Sequence, residues 1–310
     1  MTDPKRPRRP PDESRAPHAN PDAVHRHEVE FHDAWALATD PARVPVRETF
    51  EGPTALENHH FLSLAGPLSG ARILDVGSGL GESSVYFALQ GARVTAVDGS
   101  PAMVAFSQRL ATLHGVEIEG RVSTAENLLA EDASYDIVYC ANLLHHITDK
   151  RSFIAGAARA LRPGGLFFSW DPLAYNPLIN VYRRMASAVR TEDESPLTFA
   201  DVDLLRPHFV DVGHREFWIA SLALFCKYFA WDRVHPNADR YWKRIVTETS
   251  ETLWWWHPLA AMDRLLTELP LIRKLAWNMA MWGRKPAAPR GSSASHSHGH
   301  GPALQRGVDT

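Results

Sequence analysis

A short glycine-rich stretch stands out as a place where this chain can bind a small molecule. In "ILDVGSGLGESSVYFALQGARVTAVD", Asp75 is followed by Gly77, Gly79 and Gly81, and Asp98 comes about twenty residues later. Glycines let the backbone approach a ligand with no Cβ in the way, and they readily adopt positive φ angles. A carboxylate at Asp98 can accept hydrogen bonds from both hydroxyls of a ribose. This spacing predicts a nucleoside-binding loop.

The position after the third glycine separates two classes of nucleoside ligand. The dinucleotide fingerprint G-x-G-x-x-G requires a glycine where this chain has Glu82. The acidic side chain also adds negative charge where a pyrophosphate would bind. The sequence therefore disfavours a nicotinamide-dependent oxidoreductase and favours a nucleoside that lacks a pyrophosphate.

Predicted strands and helices alternate around this loop. The strands are predicted at 72–76, 93–97, 117–122, 135–140 and 166–170, and the helices at 80–90, 101–115, 125–130 and 149–161. "RPGG" predicts a break before the strand at 166–170, and the T-x-x-E spacing of Thr54 and Glu57 predicts a capping box. Such alternation predicts a parallel sheet with helices on both faces. Ligands bind such sheets beyond the carboxyl ends of the strands.

The order of the motifs resembles that of the class I S-adenosylmethionine (SAM)-dependent methyltransferases. "ILDVGSGLGES" resembles their first motif, "VTAVDGS" the second, "STAENL" the adenine-side turn, "YDIVYCANLLHHI" the fourth-strand motif and "LRPGGLFF" the lead into the fifth strand. The resemblance covers about residues 70 to 171 and is closest to the ubiquinone/menaquinone-biosynthesis-like small-molecule subgroup (methyltransferase type 11). It implies a Rossmann-like, doubly wound and mostly parallel seven-stranded sheet.

The resemblance also implies SAM as the cofactor and assigns its contacts. Asp75 would orient the loop and face the methionine ammonium, Asp98 would bind the ribose hydroxyls, and Asn142 would meet the sulfonium end through its backbone carbonyl. The other implied contacts are Gly77, Ser78, Gly79 and Gly81 on the methionine and ribose side, and Gly99, Ala125 and Glu126 around the adenine. No metal ion is predicted.

Two histidines of "NLLHHI" are the predicted catalytic residues. His145 and His146 lie where the family places residues near the transferred methyl group, and histidine titrates near neutral pH. One of them would serve as a general base if the acceptor is a hydroxyl or an ammonium. The alternative is that one histidine packs and the other bonds a backbone carbonyl.

Acceptor contacts are predicted in two places. His32 lies on an N-terminal helix that covers the SAM pocket in related enzymes, and a contact of this lid and structural capping are equally open for it. The segment 171–197 follows the fifth strand and is expected to lie over the acceptor, and its predicted binding residues are Tyr175, Asn176, Tyr182 and Arg183. Guanidinium groups bind carboxylates and phosphates well, but an exposed helix face explains the arginine equally.

An aromatic-rich insertion separates the last two predicted strands, at 209–219 and 275–286. Eight of the ten tryptophans fall between Trp218 and Trp282. Three helices are predicted here, in "SLALFCKYFAW", "ADRYWKRIVTETSETLWWW" and "LAAMDRLLTELP". Three interpretations stay open: a cap around an apolar acceptor, a membrane-facing surface at 220–272, and an interface of a homodimer or extra core. The first two favour a hydrophobic or lipid-like acceptor.

The predicted organisation has one domain between two tails. Residues 1–26 and the His-rich 287–310 are expected to be disordered, and 27–286 to form the domain, with a helical lid at 27–66.

A net charge of −3 and the lack of an "N-P-P-Y" motif disfavour a nucleic-acid substrate. No signal peptide and two separated cysteines predict a cytoplasmic protein, with membrane association as an option. The alternative to an enzyme is a non-catalytic SAM-binding sensor or scaffold.

Overall fold

One seven-stranded sheet organises the part of the chain that the structure, a computed structural model, describes: residues 21–125, 133–186, 194–248 and 250–287. The strands are β1 Arg72–Val76, β2 Arg93–Asp98, β3 Glu119–Val122, β4 Tyr135–Ala141, β5 Leu161–Pro172, β6 Val210–Phe217 and β7 Asn278–Arg284. Their order is β3-β2-β1-β4-β5-β7-β6. The first five strands are parallel, and β7 lies antiparallel between β5 and β6. The predicted Rossmann-like fold is therefore confirmed.

The helices cover both faces of the sheet. They are α1 Pro21–Ala38, α2 Glu48–Glu51, α3 Leu56–Ala65, α4 Glu82–Leu89, α5 Pro101–Leu113, α6 Lys150–Ala160, α7 Pro177–Met185, α8 Ala223–Cys226, α9 Tyr241–Arg244 and α10 Ser250–Leu266. Ser100 caps α5 by accepting from the Met103 amide at 3.0 Å, with Pro101 in the first turn, as the sequence predicts. The helix predicted at 125–130 lies almost wholly in 126–132, outside the described residues. No helix among the described residues has both the length and the apolar character that crossing a bilayer requires.

The predicted capping box at the start of α3 is wrong. The helix begins at Leu56, and the Thr54 hydroxyl instead donates to the Ile245 carbonyl at 2.8 Å. The Glu57 carboxylate accepts from the Asn278 amide group at 2.7 Å. Both side chains therefore bond residues distant in sequence, which a local spacing rule does not take into account.

The predicted break at "RPGG" is also wrong, because β5 runs through it. Leu161 pairs with Tyr135 of β4, and pairing resumes at Leu166 opposite Ile137 after a shift of register. Positive φ at Gly164 accommodates this irregularity. The glycines therefore form a bulge within the strand.

The insertion is helical, as predicted, but its last two predicted helices are divided differently. Helix α10 contains Pro258 and joins the tryptophan run to the following apolar segment. Helix α8 continues into a π-helical turn at Lys227–Trp231. Asp263 of α10 accepts from the Ile219 and Ala220 amides at 3.1 and 2.6 Å. This carboxylate ties the insertion to the end of β6.

Candidate active site

A cavity of about 350 Å³ lies beyond the carboxyl ends of β1, β2 and β4. Its walls come from the glycine loop, from α1 and α3, and from the insertion. The N-terminal helices contribute Glu28, His32 and Trp35, and the insertion contributes Arg240, Trp242, Lys243 and Ile245. The fold thus brings the predicted lid and the predicted cap to the same space.

The glycine loop has the backbone that its sequence predicts. Gly77, Gly79 and Gly81 all have positive φ, at 70°, 54° and 92°. A Cβ on Gly79 would meet nothing within 4 Å, and this residue lines the cavity. A Cβ on Gly81 would lie 2.5 Å from Cβ of Ser107 in α5, and Gly81 is not among the lining residues. Gly79 thus opens the loop to a ligand, whereas Gly81, in a correction to its predicted cofactor contact, lets α4 and α5 pack closely.

Asp98 lies at the end of β2 and lines the cavity. Its two carboxylate oxygens accept from the Gly79 and Ser100 amides, each at 2.9 Å. Burial raises the pKa of Asp98, and these two backbone N–H groups oppose the rise. Since each carboxylate oxygen has a second lone pair, both can still accept a ribose hydroxyl while the amides fix the carboxylate in place.

Asp75 and Ser78 lie at the other end of the loop. The buried Asp75 carboxylate accepts from the hydroxyls of Ser83 and Ser84 at 2.6 and 2.5 Å. Burial is the main reason that the pKa of Asp75 is raised to about 6. The buried Ser78 hydroxyl lines the cavity and has no hydrogen-bond partner among the described residues. Such an unmet group, beside a carboxylate, fits the polar amino-acid end of SAM.

The predicted contacts at the adenine and sulfonium ends lie around the same cavity. Gly99 and Ala125 line it, and Glu126 lies outside the described residues. Asn142 lines it as well and has a φ of 51°, with its amide donating to the Trp170 carbonyl at 2.9 Å. The cofactor-binding residues stay predictions, but the described ones other than Gly81 surround one cavity that suits SAM.

His145 forms a buried pair with an aspartate at the end of β5. Its Nδ1 lies 2.8 Å from Oδ1 of Asp171, and its backbone amide donates to the same oxygen at 3.2 Å. The Ser169 hydroxyl donates to the other carboxylate oxygen at 2.9 Å. Burial is the main cause that raises the pKa of Asp171 to about 7. When Asp171 is ionised, Nδ1 carries the proton, and Nε2 is the nitrogen that can accept one.

His146 connects the site to α1. Its Nδ1 lies 2.7 Å from Oε1 of Glu28, and its ring centroid lies 4.1 Å from that of His145. His32, one helical turn after Glu28, lies 6.4 Å from His146 between ring centroids. Burial lowers the pKa of His32, although Asp98 opposes this. His32 and His146 thus sit between the predicted ribose carboxylate and His145.

A carboxylate, Glu194, also lies close to the histidines. Glu194 Oε2 lies 4.0 Å from His145 Nε2 and accepts from Arg183 at 3.0 Å. One ligand atom from each of His145, His146 and Glu194 lies within 4.8 Å of the others, a spacing that could hold a metal ion. Arg183 already neutralises the carboxylate, however, and burial lowers the pKa of Arg183 only to about 10, so it keeps its charge.

The residues predicted to bind the acceptor do not all reach the cavity. Tyr182 and His32 line it, and Arg183 contacts it through Glu194, which is a lining residue. Asn176 instead caps α7 by accepting from the Ile179 amide, and its own amide group donates to the Leu275 carbonyl. Tyr175 stacks on Phe199 with ring centroids 5.7 Å apart. Asn176 and Tyr175 therefore lie outside the cavity lining, in a correction to their predicted place.

The insertion closes the cavity through cations and aromatic rings. The Arg240 guanidinium lies 4.0 Å from the centroid of Trp35, and Trp242 meets the same ring edge-on at 5.9 Å. Lys243 forms an ion pair with Glu82 at the start of α4. The residue that replaces the third glycine of the dinucleotide fingerprint thus joins the glycine loop to the insertion.

Sequence reasoning missed several residues of this site. Asp171, Glu194, Glu28 and Glu57 line the cavity or bond residues that do. Two signals were present: Asp171 directly follows the fifth predicted strand, and Glu28 lies four residues before His32 on one helix. The position of Glu57 depends on β7, and no local pattern indicates it.

Comparisons with known proteins agree with this site. Residues 74–169 match the methyltransferase domain family. A ubiquinone biosynthesis O-methyltransferase of Xylella fastidiosa is 41% identical over 113 residues, covering 35% of this chain and 44% of that protein. Another, of a Methylobacterium species, is 34% identical over 141 residues, covering 44% and 57%. The match thus spans about half the length of these relatives.

A solved structure extends the likeness of fold beyond the matched domain. Phosphoethanolamine N-methyltransferase 2 of Haemonchus contortus, in complex with phosphomonomethylethanolamine and S-adenosylhomocysteine, superimposes with a TM-score of 0.54 at 16% identity. The alignment covers 84% of this chain and 60% of that one. The sequence match, the fold and the cavity lead to one assignment: residues 74–169 lie in a class I, SAM-dependent methyltransferase domain.

Proposed function

We propose that this protein transfers the methyl group of SAM to a hydroxyl oxygen of a small, apolar acceptor. The observation that carries the proposal is the pair of His145 and Asp171 at the cavity wall, 2.8 Å apart. A neutral hydroxyl must lose its proton as it attacks the methyl group, so a positioned base is needed. The relatives named above are O-methyltransferases, which supports oxygen as the methylated atom.

The residues of this chain would divide the work. Bound SAM supplies a methyl group on a positively charged sulfur, and Asp98, Asp75 and the loop amides would hold it. His145 would take the hydroxyl proton on Nε2, while Asp171 holds the ring and stabilises its charged form. The walls of aromatic side chains would exclude water and align the acceptor for in-line displacement.

The apolar character of the acceptor is inferred from the cavity walls. Away from the glycine loop, the lining includes Phe50, Trp218, Ile245, Val246 and Trp277. These apolar side chains form part of the wall, and the polar side chains between them would fix the orientation of the acceptor, a combination typical of sites for small, largely apolar molecules. The insertion would thus act as an acceptor cap, and contact with a membrane or a second copy of the chain stays a prediction.

The first test uses methyl-labelled SAM with the purified protein and an extract of its source cells, split into organic and aqueous phases. We expect label in the organic phase and, with SAM kept below its Kd for the wild type, about 10- to 100-fold less label with Asp98→Ala. Label in the aqueous phase would contradict an apolar acceptor. A protein that binds S-adenosylhomocysteine but transfers no label would favour the non-catalytic sensor or scaffold.

A second test addresses the base. We expect Asp171→Asn and His145→Gln to lower the rate of labelling by about 10²- to 10⁴-fold, with affinity for S-adenosylhomocysteine kept. The matched control is His114→Gln, because His114 is exposed at the end of α5. Wild-type rates in both site variants would remove His145 as the base and with it the main support for a hydroxyl acceptor.

A further inference from the structure

Three buried polar side chains meet in one part of the cavity, and two of them have hydrogen-bonding capacity that is unmet. Glu57 of α3, Trp218 after β6 and Asn278 at the start of β7 all line it, and we name them the polar recess. Asn278 donates its Nδ2 to Glu57 at 2.7 Å, but its Oδ1 has no partner in the described part of the chain. The Trp218 indole N–H faces the Glu57 carboxyl, but it makes no hydrogen bond of good geometry in the described part of the chain. Their exposed fractions are 2% and 0%.

Unmet groups of this kind point to a ligand. More than nine in ten buried polar groups in proteins have a partner, roughly, and an unpaired one lowers stability. The polar groups beside the recess follow that rule. Asn58 accepts from the Tyr139 hydroxyl at 2.7 Å and from the Trp170 indole at 3.2 Å, and donates to the Thr49 carbonyl at 2.8 Å. Among the described residues that line the cavity, the unmet atoms are therefore those of Ser78, at the glycine loop, and those of the recess. The neighbouring Trp256 indole also has no partner among the residues described, but it does not line the cavity.

The backbone of Trp218 provides an independent observation. Trp218 has a φ of 68°, a conformation that bulky residues rarely adopt. Its carbonyl accepts from the Trp277 amide at 2.9 Å, and its ring packs 5.3 Å from Trp256. Backbone strain of this kind concentrates at functional sites, where surrounding contacts hold it in place. Here those contacts hold the indole against the recess.

The chemistry of the recess selects one kind of group. A donor from Trp218 and an acceptor from Asn278 stand together beside the Glu57 carboxyl. Burial raises the pKa of Glu57, which disfavours a fixed negative charge there and with it a specific site for a cation. A hydroxyl both donates and accepts one hydrogen bond, so it can satisfy both unmet groups.

We propose that the polar recess binds a hydroxyl of the acceptor other than the one that takes the methyl group. The acceptor would then carry at least two hydroxyls on an apolar frame. His145 follows β4 and bonds β5, whereas the recess joins α3 to β7, so the two sites are built on different elements. This inference rests on the proposed function and adds the anchoring group that selects which hydroxyl reacts.

The test compares two probes that differ by one hydroxyl, 2-naphthol and 2-methylnaphthalene, titrated into protein saturated with S-adenosylhomocysteine. We expect the wild type to prefer 2-naphthol. Trp218→Phe keeps an aromatic side chain, although a smaller one, and removes the N–H, and Asn278→Leu removes the unmet oxygen. Each variant should weaken the binding of 2-naphthol by about three- to tenfold and leave the affinity for 2-methylnaphthalene unchanged. Asn180→Leu is the control, because Asn180 bonds the Ala174 carbonyl away from the cavity.

Several outcomes would overturn the proposal. One is an equal loss of affinity for both probes, since that reports altered packing. Another is an unchanged preference for 2-naphthol over 2-methylnaphthalene in both variants, since the hydroxyl would then bind elsewhere. Binding of neither probe by the wild type also counts against it. If Asn278→Leu does not fold, the probe affinities of Trp218→Phe decide whether the recess binds the hydroxyl. If the wild type prefers 2-naphthol but transfers no labelled methyl group, only the proposed function is contradicted. If it transfers the methyl group but shows no preference for 2-naphthol, only the proposed role of the polar recess is contradicted.

Discussion

Individual carboxylates in this site differ because their surroundings differ. Asp98 is held by two backbone amides, Asp75 by two serine hydroxyls, and Asp171 by a histidine and a serine. Burial raises the pKa of all three, and hydrogen bonds to the ionised form oppose it in each case. The same residue type is therefore held in three different ways, which suits the three different roles proposed for it.

The Asp98→Ala variant should lose most of its affinity for S-adenosylhomocysteine. Hydrogen bonds to a charged group contribute about 1.5–3 kcal/mol, so removing them predicts a Kd that is about 10- to 100-fold higher. Isothermal titration measures this directly. Asp203→Ala is the control, since Asp203 is exposed and pairs with Arg206 at the surface. An unchanged Kd for Asp98→Ala would contradict the ribose assignment.

The Asp75→Asn variant should change how stability depends on pH. The pKa of Asp75 is about 6 when folded and near 3.8 in its ordinary state, so the folded chain holds this proton over that interval while the unfolded chain releases it. The wild type should therefore lose about 3 kcal/mol relative to Asp75→Asn as the pH rises from about 4 to about 6. Above pH 6 the difference should stay constant.

Urea unfolding at intervals between pH 4 and 8 measures that difference. The control is Asp203→Asn, at an exposed residue, and its free energy of unfolding should follow that of the wild type at each pH. A difference between the wild type and Asp75→Asn that is flat across this range would show that the Asp75 carboxyl titrates normally in the folded protein.

At the scale of elements, two helical segments from opposite ends of the chain close one cavity. Helix α1 contributes Trp35, and α9 of the insertion contributes Trp242 and Lys243, whose ammonium lies 5.3 Å from the Trp35 ring. Lys243 also pairs with Glu82 of α4. These contacts hold the insertion against α1 and α4 at the wall of the cavity.

The Lys243→Met variant should loosen the insertion. It removes an ion pair and a cation over two tryptophan rings, a loss of about 1 kcal/mol. Chymotrypsin should then cleave the aromatic-rich insertion about two- to fivefold faster, with the effect suppressed by S-adenosylhomocysteine. Lys227→Met is the matched control, because Lys227 pairs with Asp232 inside the insertion. Equal cleavage rates in the two variants would contradict the idea that the ion pair of Lys243 and Glu82 holds the insertion in place.

At the scale of the whole molecule, the insertion shares a hydrophobic core with the sheet. Tyr228, Tyr241 and Trp256 of the insertion belong to one buried cluster with Phe61 and Phe87, which pack against the sheet. Asp263 adds hydrogen bonds from the insertion to the end of β6. These contacts make the insertion part of the domain and not a separately folding unit.

We therefore expect a single cooperative unfolding transition. Eight of the ten tryptophans lie between Trp218 and Trp282, so tryptophan fluorescence reports mainly on that region, while far-UV circular dichroism reports on the whole chain. The two transitions in urea should coincide, and S-adenosylhomocysteine should shift both together. A fluorescence change at clearly lower urea would show that the insertion unfolds on its own.

Local sequence determined a large part of this protein. The strands of the sheet, the positive φ angles of the glycine loop, the Ser100 cap and the position of Asp98 all follow from short-range patterns, because backbone sterics and hydrogen bonding act between near neighbours. The motif order was enough to indicate the class of cofactor. The resemblance also predicts His145 for the site, and His145 lines the cavity.

Only the tertiary structure decided which side chains meet. Thr54 and Glu57 satisfy a local capping rule, yet they bond Ile245 and Asn278, far away along the chain. Asp171 reaches His145 and Glu82 reaches Lys243 only when β5 and the insertion are in place. Burial makes such distant partners worth more than local ones, since an unpaired polar group inside the protein is costly and nearby water cannot replace its partner.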